Sequence, residues 1–258
     1  MTTTSSPPVT ERLPFAEDSM IRKVHSEGVL LLGGGRALLM QIAHPLVARG
    51  VAEHSQYRQD RIGRLLRTLR PMFAMAFGTK RQAIDAAAAV NHIHESVMGA
   101  GYRAADPNLL LWVMATLVDT TLYMHERFVR PLTPQEATAY YEDMRVVGEM
   151  LGLAPSHMPG SIDVLRRYLN EMTGSLEVTD EAREIANALF RAGPSLWPIM
   201  APTQALTAGL LDEHLRAQFG LTWGPGRERV LGLIAASSRR VLPHIPPCLK
   251  GPPWFVMP

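Results

Sequence analysis

The run from Leu109 to Met124 restricts most strongly how this chain can fold. Its residues are apolar on nearly every side of a helix, yet the run is too short to span a bilayer and contains Asp119. A helix without a polar face has to be covered by protein, because water solvates an apolar surface unfavourably. The segment therefore predicts a buried central helix with the rest of the chain packed around it.

The remaining sequence is typical of further helices separated by glycine and proline. Asp106-Pro107 supplies an N-cap and a first helical residue, and Thr133-Pro-Gln-Glu136 is a capping box. No alternating strand pattern and no internal repeat is present. The predicted helices cover 19–25, 36–44, 61–77, 80–98, 109–124, 133–151, 161–172, 180–191, 203–218 and 225–241.

This pattern predicts an all-α fold, a single-domain multi-helix bundle around a buried central helix. The bundle is expected to occupy residues 17–242. Residues 1–16 are expected to form a disordered N-terminal arm, and residues 243–258 an irregular, proline-rich tail. The arm is rich in Thr, Ser and Pro and lacks the apolar region of a signal peptide, so we expect a cytoplasmic protein without an integral membrane segment.

The composition excludes several functional classes. With 47% hydrophobic residues and a net charge of +2, the chain can bury a large core but has no basic cluster typical of nucleic-acid binding. The single cysteine, Cys248, excludes an internal disulfide, a multi-cysteine metal site and a covalently attached c-type haem. The Glu-x-x-His pairs of a di-iron bundle and the Gly-x-Ser-x-Gly elbow of a hydrolase are also missing.

One histidine falls within the apolar face of the predicted helix 80–98. At about 100° per residue His94 lies inside a cluster of apolar side chains, whereas His92 lies on the opposite side. A buried imidazole needs a partner, so His94 is either a core histidine bonded to a backbone carbonyl or a metal ligand. The apolar cluster comprises Ala83, Ala86, Ala87, Val90, Ile93 and Val97.

The preceding amphipathic helix carries a basic and hydroxyl-bearing segment. Arg64 and Thr68 lie at the edge of its apolar stripe, and Arg67 lies further round. They form either an ordinary solvated face or one wall of a cavity. A cationic wall opposite a buried imidazole can hold a haem, because imidazole ligates the iron and arginine binds anionic groups.

Other polar residues have simpler interpretations. Asp119, on an otherwise apolar helix, should be paired, with an arginine for example, or be protonated. His44 lies among apolar residues and should be buried. Four histidines lie on polar or loop segments and are expected to be solvated: His25, His157, His214 and His244.

Several segments, taken in order, carry a family resemblance. They are Arg36-Ala-Leu-Leu-Met-Gln-Ile-Ala-His-Pro45, Val51-Ala-Glu-His-Ser55, Gly63-Arg-Leu-Leu-Arg-Thr-Leu69, His94 with Gly99, Leu110-Leu-Trp-Val-Met-Ala-Thr-Leu-Val-Asp119, Glu126-Arg-Phe128 and Arg130-Pro-Leu-Thr133. This series resembles the catalytic domain shared by the MpaB-type oxygenases and the rubber oxygenases, or latex clearing proteins, over roughly residues 20–240.

The resemblance implies a non-covalent haem b and the O2-dependent cleavage of a carbon–carbon double bond in an isoprenoid. It places His94 at the proximal iron ligand and Arg64, Arg67 and Thr68 at the distal Arg-x-x-Lys-Thr set. Two departures stand out: Met114 occupies a position where relatives carry histidine in Trp-Val-His-Ala-Thr, and Arg67 replaces the lysine.

The sequence thus predicts a haem b-dependent oxygenase that uses O2 on a small apolar, isoprenoid-like substrate. Arg64, Arg67 and Thr68 are the catalytic candidates, and Arg36 and His44 are candidates for haem-propionate or supporting contacts. The extra segments of rubber oxygenases are mostly lacking, which argues against polyisoprene itself as substrate. The alternatives are a haem-binding sensor or carrier without oxygenase activity, and a helical relative that has lost the haem. The sequence leaves the oligomeric state open.

Overall fold

The computed structural model describes residues 15–55, 61–190, 197–246 and 250–251, with the backbone alone for 61–65 and 197–200. In these ranges the chain forms twelve α-helices and one two-stranded antiparallel sheet, which confirms the all-α prediction. The helices are α1 Met20–His25, α2 Gly34–Ala43, α3 Pro45–His54, α4 Arg61–Phe77, α5 Lys80–Ser96, α6 Pro107–Phe128, α7 Pro134–Met150, α8 Ile162–Ser175, α9 Asp180–Phe190, α10 Trp197–Leu210, α11 Glu213–Gln218 and α12 Pro225–Val241.

Short elements connect these helices. Strands β1, Met98–Gly99, and β2, Tyr102–Arg103, form a hairpin directly after α5. Gly101, at the turn of this hairpin, has a φ of +82°, which glycine adopts without a steric penalty. The 3-10 helices are Gly28–Gly33, Pro155–His157 and Leu242–His244.

Helix α6 is the centre of the bundle, as its sequence predicts. Its buried residues lie on several sides of the helix, and Trp112, Val118 and Met124 are completely inaccessible to solvent. The indole N–H of Trp112 donates to the carbonyl of Gln41 at 3.0 Å, which satisfies the single polar atom of that side chain. The buried set comprises Leu109, Leu110, Leu111, Trp112, Met114, Ala115, Thr116, Val118, Thr120, Met124, His125 and Phe128.

Local signals set several helix boundaries. Asp106 caps α6 by accepting the N–H of Asn108, and Thr133 forms the predicted capping box with Glu136. A second capping box, Thr79 with Gln82, opens α5 and was not recognised in the sequence. Pro45 ends α2 and begins α3.

The glycine run before α2 allows close packing. A Cβ on Gly33 would meet the side chains of Met124 and Thr120, and a Cβ on Gly35 would meet Thr207. The start of α2 therefore approaches α6 and α10 more closely than a larger residue would permit.

Some boundary predictions were wrong. The predicted helix 203–218 is two helices, α10 and α11, because the Asp212 side chain accepts the N–H of Leu215 and starts a new helix. The predicted helix 80–98 ends at Ser96, where the β hairpin follows. Ile93, expected inside the apolar cluster, is 57% exposed.

The predicted arm and tail lie mostly outside the described residues, so the division into arm, bundle and tail stays a prediction.

In the described part of the chain no single helix combines the length and the apolar character needed to cross a bilayer. Both criteria are met only by a pair of consecutive segments taken together, Gly28–Ala43 and Pro45–His54. The two segments are bent by 107° relative to each other.

Candidate functional site

Helices α4 and α5 bring the proposed basic segment and His94 to the same end of the molecule. They are joined only by Gly78 and Thr79 and pack against each other as an antiparallel hairpin. At about 1.5 Å per residue, Arg64 and His94 both lie about 20 Å from this connection. Arg64 and His94 therefore both lie toward the open end of the hairpin, on neighbouring helices.

One ring nitrogen of His94 has no hydrogen-bond partner in the described part of the chain. The residue is half-buried rather than fully buried as predicted, but its Nδ1 is inaccessible to solvent and has no hydrogen-bond partner among the described residues. Burial lowers the pKa of His94 below its usual value, which favours the neutral imidazole. A neutral imidazole with an unpaired nitrogen is what ligation of a metal requires.

The face of α5 that carries His94 points toward the bundle. Ala83 and Ala87 on this face are buried, and the Asn91 side chain donates to the carbonyl of Met150 at 2.9 Å. His92 lies on the exposed side, as predicted. Helical phase thus separated the two histidines correctly, although it overstated the burial of His94.

The basic segment of α4 is described only in part. Arg67 and Thr68 are exposed, and neither is without a partner. The side chain of Arg64 lies outside the described residues. Pro71, one turn after Arg67, has no N–H to donate to the Arg67 carbonyl, so the helix lacks one hydrogen bond beside this segment.

Arg36 is buried and has three protein partners. Its guanidinium donates to Asp119 and Thr120, each at 2.7 Å, and to the carbonyl of Leu210 at 2.9 Å. It also stacks 4.8 Å from the ring centroid of Tyr123. The predicted pairing of Asp119 with an arginine is confirmed, and the network fastens α2 to α6 and α10. A contact from Arg36 to a haem propionate would have to share or replace these partners.

His44 caps a helix. Its Nδ1 accepts the N–H of Leu46 at 3.2 Å, and its ring lies 6.4 Å from that of Trp112. The residue is half-buried, not buried as predicted. Burial lowers the pKa of His44, and the negative charge of Asp106 opposes this shift. Any contact of His44 with a cofactor would have to use Nε2.

The prediction that His25 is solvated was wrong. Its Nε2 lies 3.0 Å from the hydroxyl of Tyr140, and its ring stacks on Tyr140 and meets Phe73 edge-on. Burial lowers the pKa of His25 to about 4. The missed signal is its position four residues after Ile21, which places it on the buried face of α1.

A polar contact holds the β hairpin that follows His94. The Tyr102 hydroxyl donates to Glu53 of α3 at 2.6 Å, and His54 Nε2 lies 3.2 Å from the carbonyl of Met98. Burial and the neighbouring carboxylate raise the pKa of Tyr102 to about 12. A Cβ on Gly99 would strike the Tyr102 ring and Glu53. The C-terminal end of α5 is thus tied to α3.

Metal binding by protein ligands alone has no support in this part of the chain. Among the described residues there is no group of three or more His, Cys, Asp or Glu side chains that could hold a metal ion. The chemistry available at the hairpin end is therefore that of one imidazole nitrogen, with basic and hydroxyl side chains on the neighbouring helix.

Comparison with known proteins now assigns the family. Residues 22–240 match the family described as the catalytic domain of the ER-bound oxygenase mpaB/B' and rubber oxygenase, and the chain belongs to it. The family is one of oxygenases, as the sequence resemblance indicated.

Two curated proteins that the chain resembles carry no assigned activity. Two uncharacterized proteins, one from Mycobacterium bovis and one from Mycobacterium tuberculosis, are each 26% identical over 225 residues, covering 80% of this chain and 88% of the relative. No solved structure matches the chain.

Proposed function

We propose that this protein is a haem b-dependent oxygenase that uses O2 on a small apolar, isoprenoid-like substrate, with carbon–carbon double-bond cleavage as the reaction its family suggests. The main support for the proposal is the buried Nδ1 of His94, toward the open end of the α4–α5 hairpin, which has no hydrogen-bond partner among the residues that the structure describes. A native protein rarely leaves a buried polar atom unpaired unless a ligand or water satisfies it.

The residues present fit a haem site in which the imidazole of His94 would hold the group. The lowered pKa of His94 keeps the imidazole neutral near neutral pH, so a lone pair is available without loss of a proton. The anchor between Tyr102 and Glu53 restrains the end of α5 on which His94 lies. Haem, when bound, would supply the iron that activates O2 for addition to a double bond.

The basic segment would supply hydrogen-bond donors on the neighbouring helix. Arg64 and Thr68 are assigned to the oxygen side of the site, where N–H and O–H donors stabilise negative charge that develops during reaction. Arg67 is assigned either to the same role or to a propionate, which guanidinium binds well. Arg36 and His44 remain candidates for supporting contacts, with Arg36 limited by its present partners.

The methionine at position 114, where relatives carry histidine, favours a second candidate function. Met114 is buried and packs close to Gly148, where a Cβ would approach its sulfur to 2.7 Å. A methionine in this apolar position supplies no imidazole, so any role of the histidine found in relatives is missing. A haem carrier or sensor, or a relative without haem, is therefore the alternative.

Substitution of His94 tests the proposal. His94→Ala should lower the haem-to-protein ratio from about one to near zero, because it removes the imidazole that would hold the haem. His92→Ala, on the exposed side of the same helix, is the matched control and should retain haem. Circular dichroism shows whether both variants keep the helical fold.

Three outcomes separate the candidates. Wild-type protein that takes up no haem supports the haem-free alternative, and a His94→Ala variant with normal haem content removes His94 as the ligand. Haem-loaded, reduced protein exposed to O2 and a panel of terpenoids should yield cleaved products. A stable haem complex without product would support the carrier or sensor.

A further inference from the structure

Helix α12 exposes a row of large apolar side chains to solvent. Val230, Leu233, Ile234 and Val241 are 57%, 69%, 51% and 55% exposed, and we call them the α12 stripe. Of the nine large apolar side chains exposed in the described residues, these four share one helix. Leu233 and Ile234 follow Val230 by three and four residues, and Val241 follows Ile234 by seven. This spacing places all four on one side of the helix.

The α12 stripe is separate from the side of the helix that packs on the protein. Leu231 and Ala235 are buried against a cluster that includes Met124 and Phe128. The Ser238 hydroxyl donates to the carbonyl of Phe128 at 2.8 Å. Since packing already uses this inner side, the α12 stripe is not needed to hold the helix in place.

Arginines border the α12 stripe on both edges. Helical phase places Arg229 and Arg240 along one edge and Arg227 along the other. All three are exposed, and Arg229 and Arg240 make no hydrogen bond or ion pair with the described residues. The single carboxylate of the helix, Glu228, is bonded to Arg127 and Trp223 at 2.8 Å each. The solvent face of α12 is therefore apolar at its centre and positive at its edges.

We propose that α12 docks this protein on a membrane surface that contains anionic lipids. The apolar row would enter the boundary between headgroups and acyl chains, and the arginines would bind lipid phosphates. Charge complementarity selects this occupant over a second copy of the chain, because two α12 helices face to face would bring arginine edges together, and the carboxylate of each helix, Glu228, is already bonded to Arg127 and Trp223. The proposal is independent of the haem assignment.

Flotation of the full-length protein with lipid vesicles tests the proposal. The wild type should float with vesicles of phosphatidylcholine and phosphatidylglycerol mixed in equal parts, and only weakly with phosphatidylcholine alone. Leu233→Ser combined with Ile234→Ser should weaken binding by about tenfold or more, because two apolar side chains no longer leave water. Arg229→Gln combined with Arg240→Gln should weaken binding and reduce its sensitivity to salt.

Helix α8 offers matched controls. Val164 is an exposed apolar residue, and Arg166 and Arg167 are exposed arginines on the same helix. Val164→Ser and the double variant Arg166→Gln with Arg167→Gln should bind vesicles like the wild type. Because the substituted α12 residues are exposed, the variants should keep the wild-type melting temperature.

Several results would overturn the proposal. The first is wild-type protein that floats with neither kind of vesicle. The second is binding to phosphatidylcholine vesicles as strong as binding to vesicles that contain phosphatidylglycerol. The third is vesicle binding that the α12 substitutions do not change. Light scattering adds one more: a wild-type dimer that the Leu233→Ser and Ile234→Ser substitutions convert to a monomer would assign the α12 stripe to self-association instead.

Discussion

Arg36 and His94 both point toward the interior of the protein. Among the described residues, Arg36 has hydrogen-bond partners for its buried guanidinium, whereas Nδ1 of His94 has none. Arg36 lies beside the central helix with Asp119, Thr120 and a backbone carbonyl as partners. His94, at the open end of the α4–α5 hairpin, keeps a buried nitrogen without a partner in the described structure. The difference separates a group that holds the fold together from a group that is available to a ligand.

The same distinction applies to the other inward histidines. His25 contacts Tyr140, and Nδ1 of the buried His125 donates to the carbonyl of Arg130 at 2.8 Å. Both rings therefore have partners in the protein, and His94 stands apart from them. Stability measurements on variants of Arg36, His25 and His94 test whether these groups differ in this way.

The largest expected effect is at Arg36. Arg36→Leu should lower the free energy of unfolding by about 3 to 5 kcal/mol, because it leaves Asp119 without its counter-charge inside the bundle. Urea denaturation measures the change. Arg81→Leu is the control: Arg81 is 88% exposed and pairs with Asp85 on the helix surface, so its loss should cost less than about 0.5 kcal/mol. Equal effects of the two substitutions would contradict the assigned role of Arg36.

A smaller effect is expected from the titration of His25. The folded protein holds the pKa of His25 at about 4, below the ordinary 6.5, so the unfolded chain binds the proton more readily. Stability from this group is present above pH 6.5 and is lost as the pH falls toward 4, by about 2 to 3 kcal/mol.

The variant His25→Gln isolates this contribution from the other histidines. Glutamine can still form a hydrogen bond to Tyr140 but does not titrate, so stability should fall less steeply with acid than in the wild type. His92→Gln, on the exposed face of α5, should leave the pH dependence unchanged. A His25→Gln variant with the wild-type pH profile would show that folding does not lower the pKa of His25.

The smallest effect has the opposite sign. In the haem-free protein, His94→Leu should raise the free energy of unfolding by about 1 kcal/mol, because it removes a buried nitrogen that has no hydrogen-bond partner among the described residues. His92→Leu should change stability by less. If His94→Leu is destabilising in the haem-free protein, then His94 has a structural partner and the comparison with Arg36 fails.

Part of the candidate site was predictable from spacing along one helix. The phase of α5 distinguished His94 from His92, and the charge of Asp119 on an apolar helix required a counter-ion. Neither argument could identify Arg36 as that counter-ion, because the two residues are 83 positions apart in the chain. The burial of His25 depends in the same way on Tyr140, which lies 115 residues away.

The fold class, the central helix and most helix ends could be predicted from the sequence, because they depend on residues within one or two turns of each other. Examples are the apolar run of α6, the capping residues Asp106 and Thr133, and the break at Pro45. Which buried polar groups have hydrogen-bond partners was settled only by the packing of the folded chain. Packing brought Tyr140 to His25 and Asp119 to Arg36, and it buried Nδ1 of His94 where no other described residue bonds to it. That outcome depends on contacts between distant segments, which no local pattern of residues specifies.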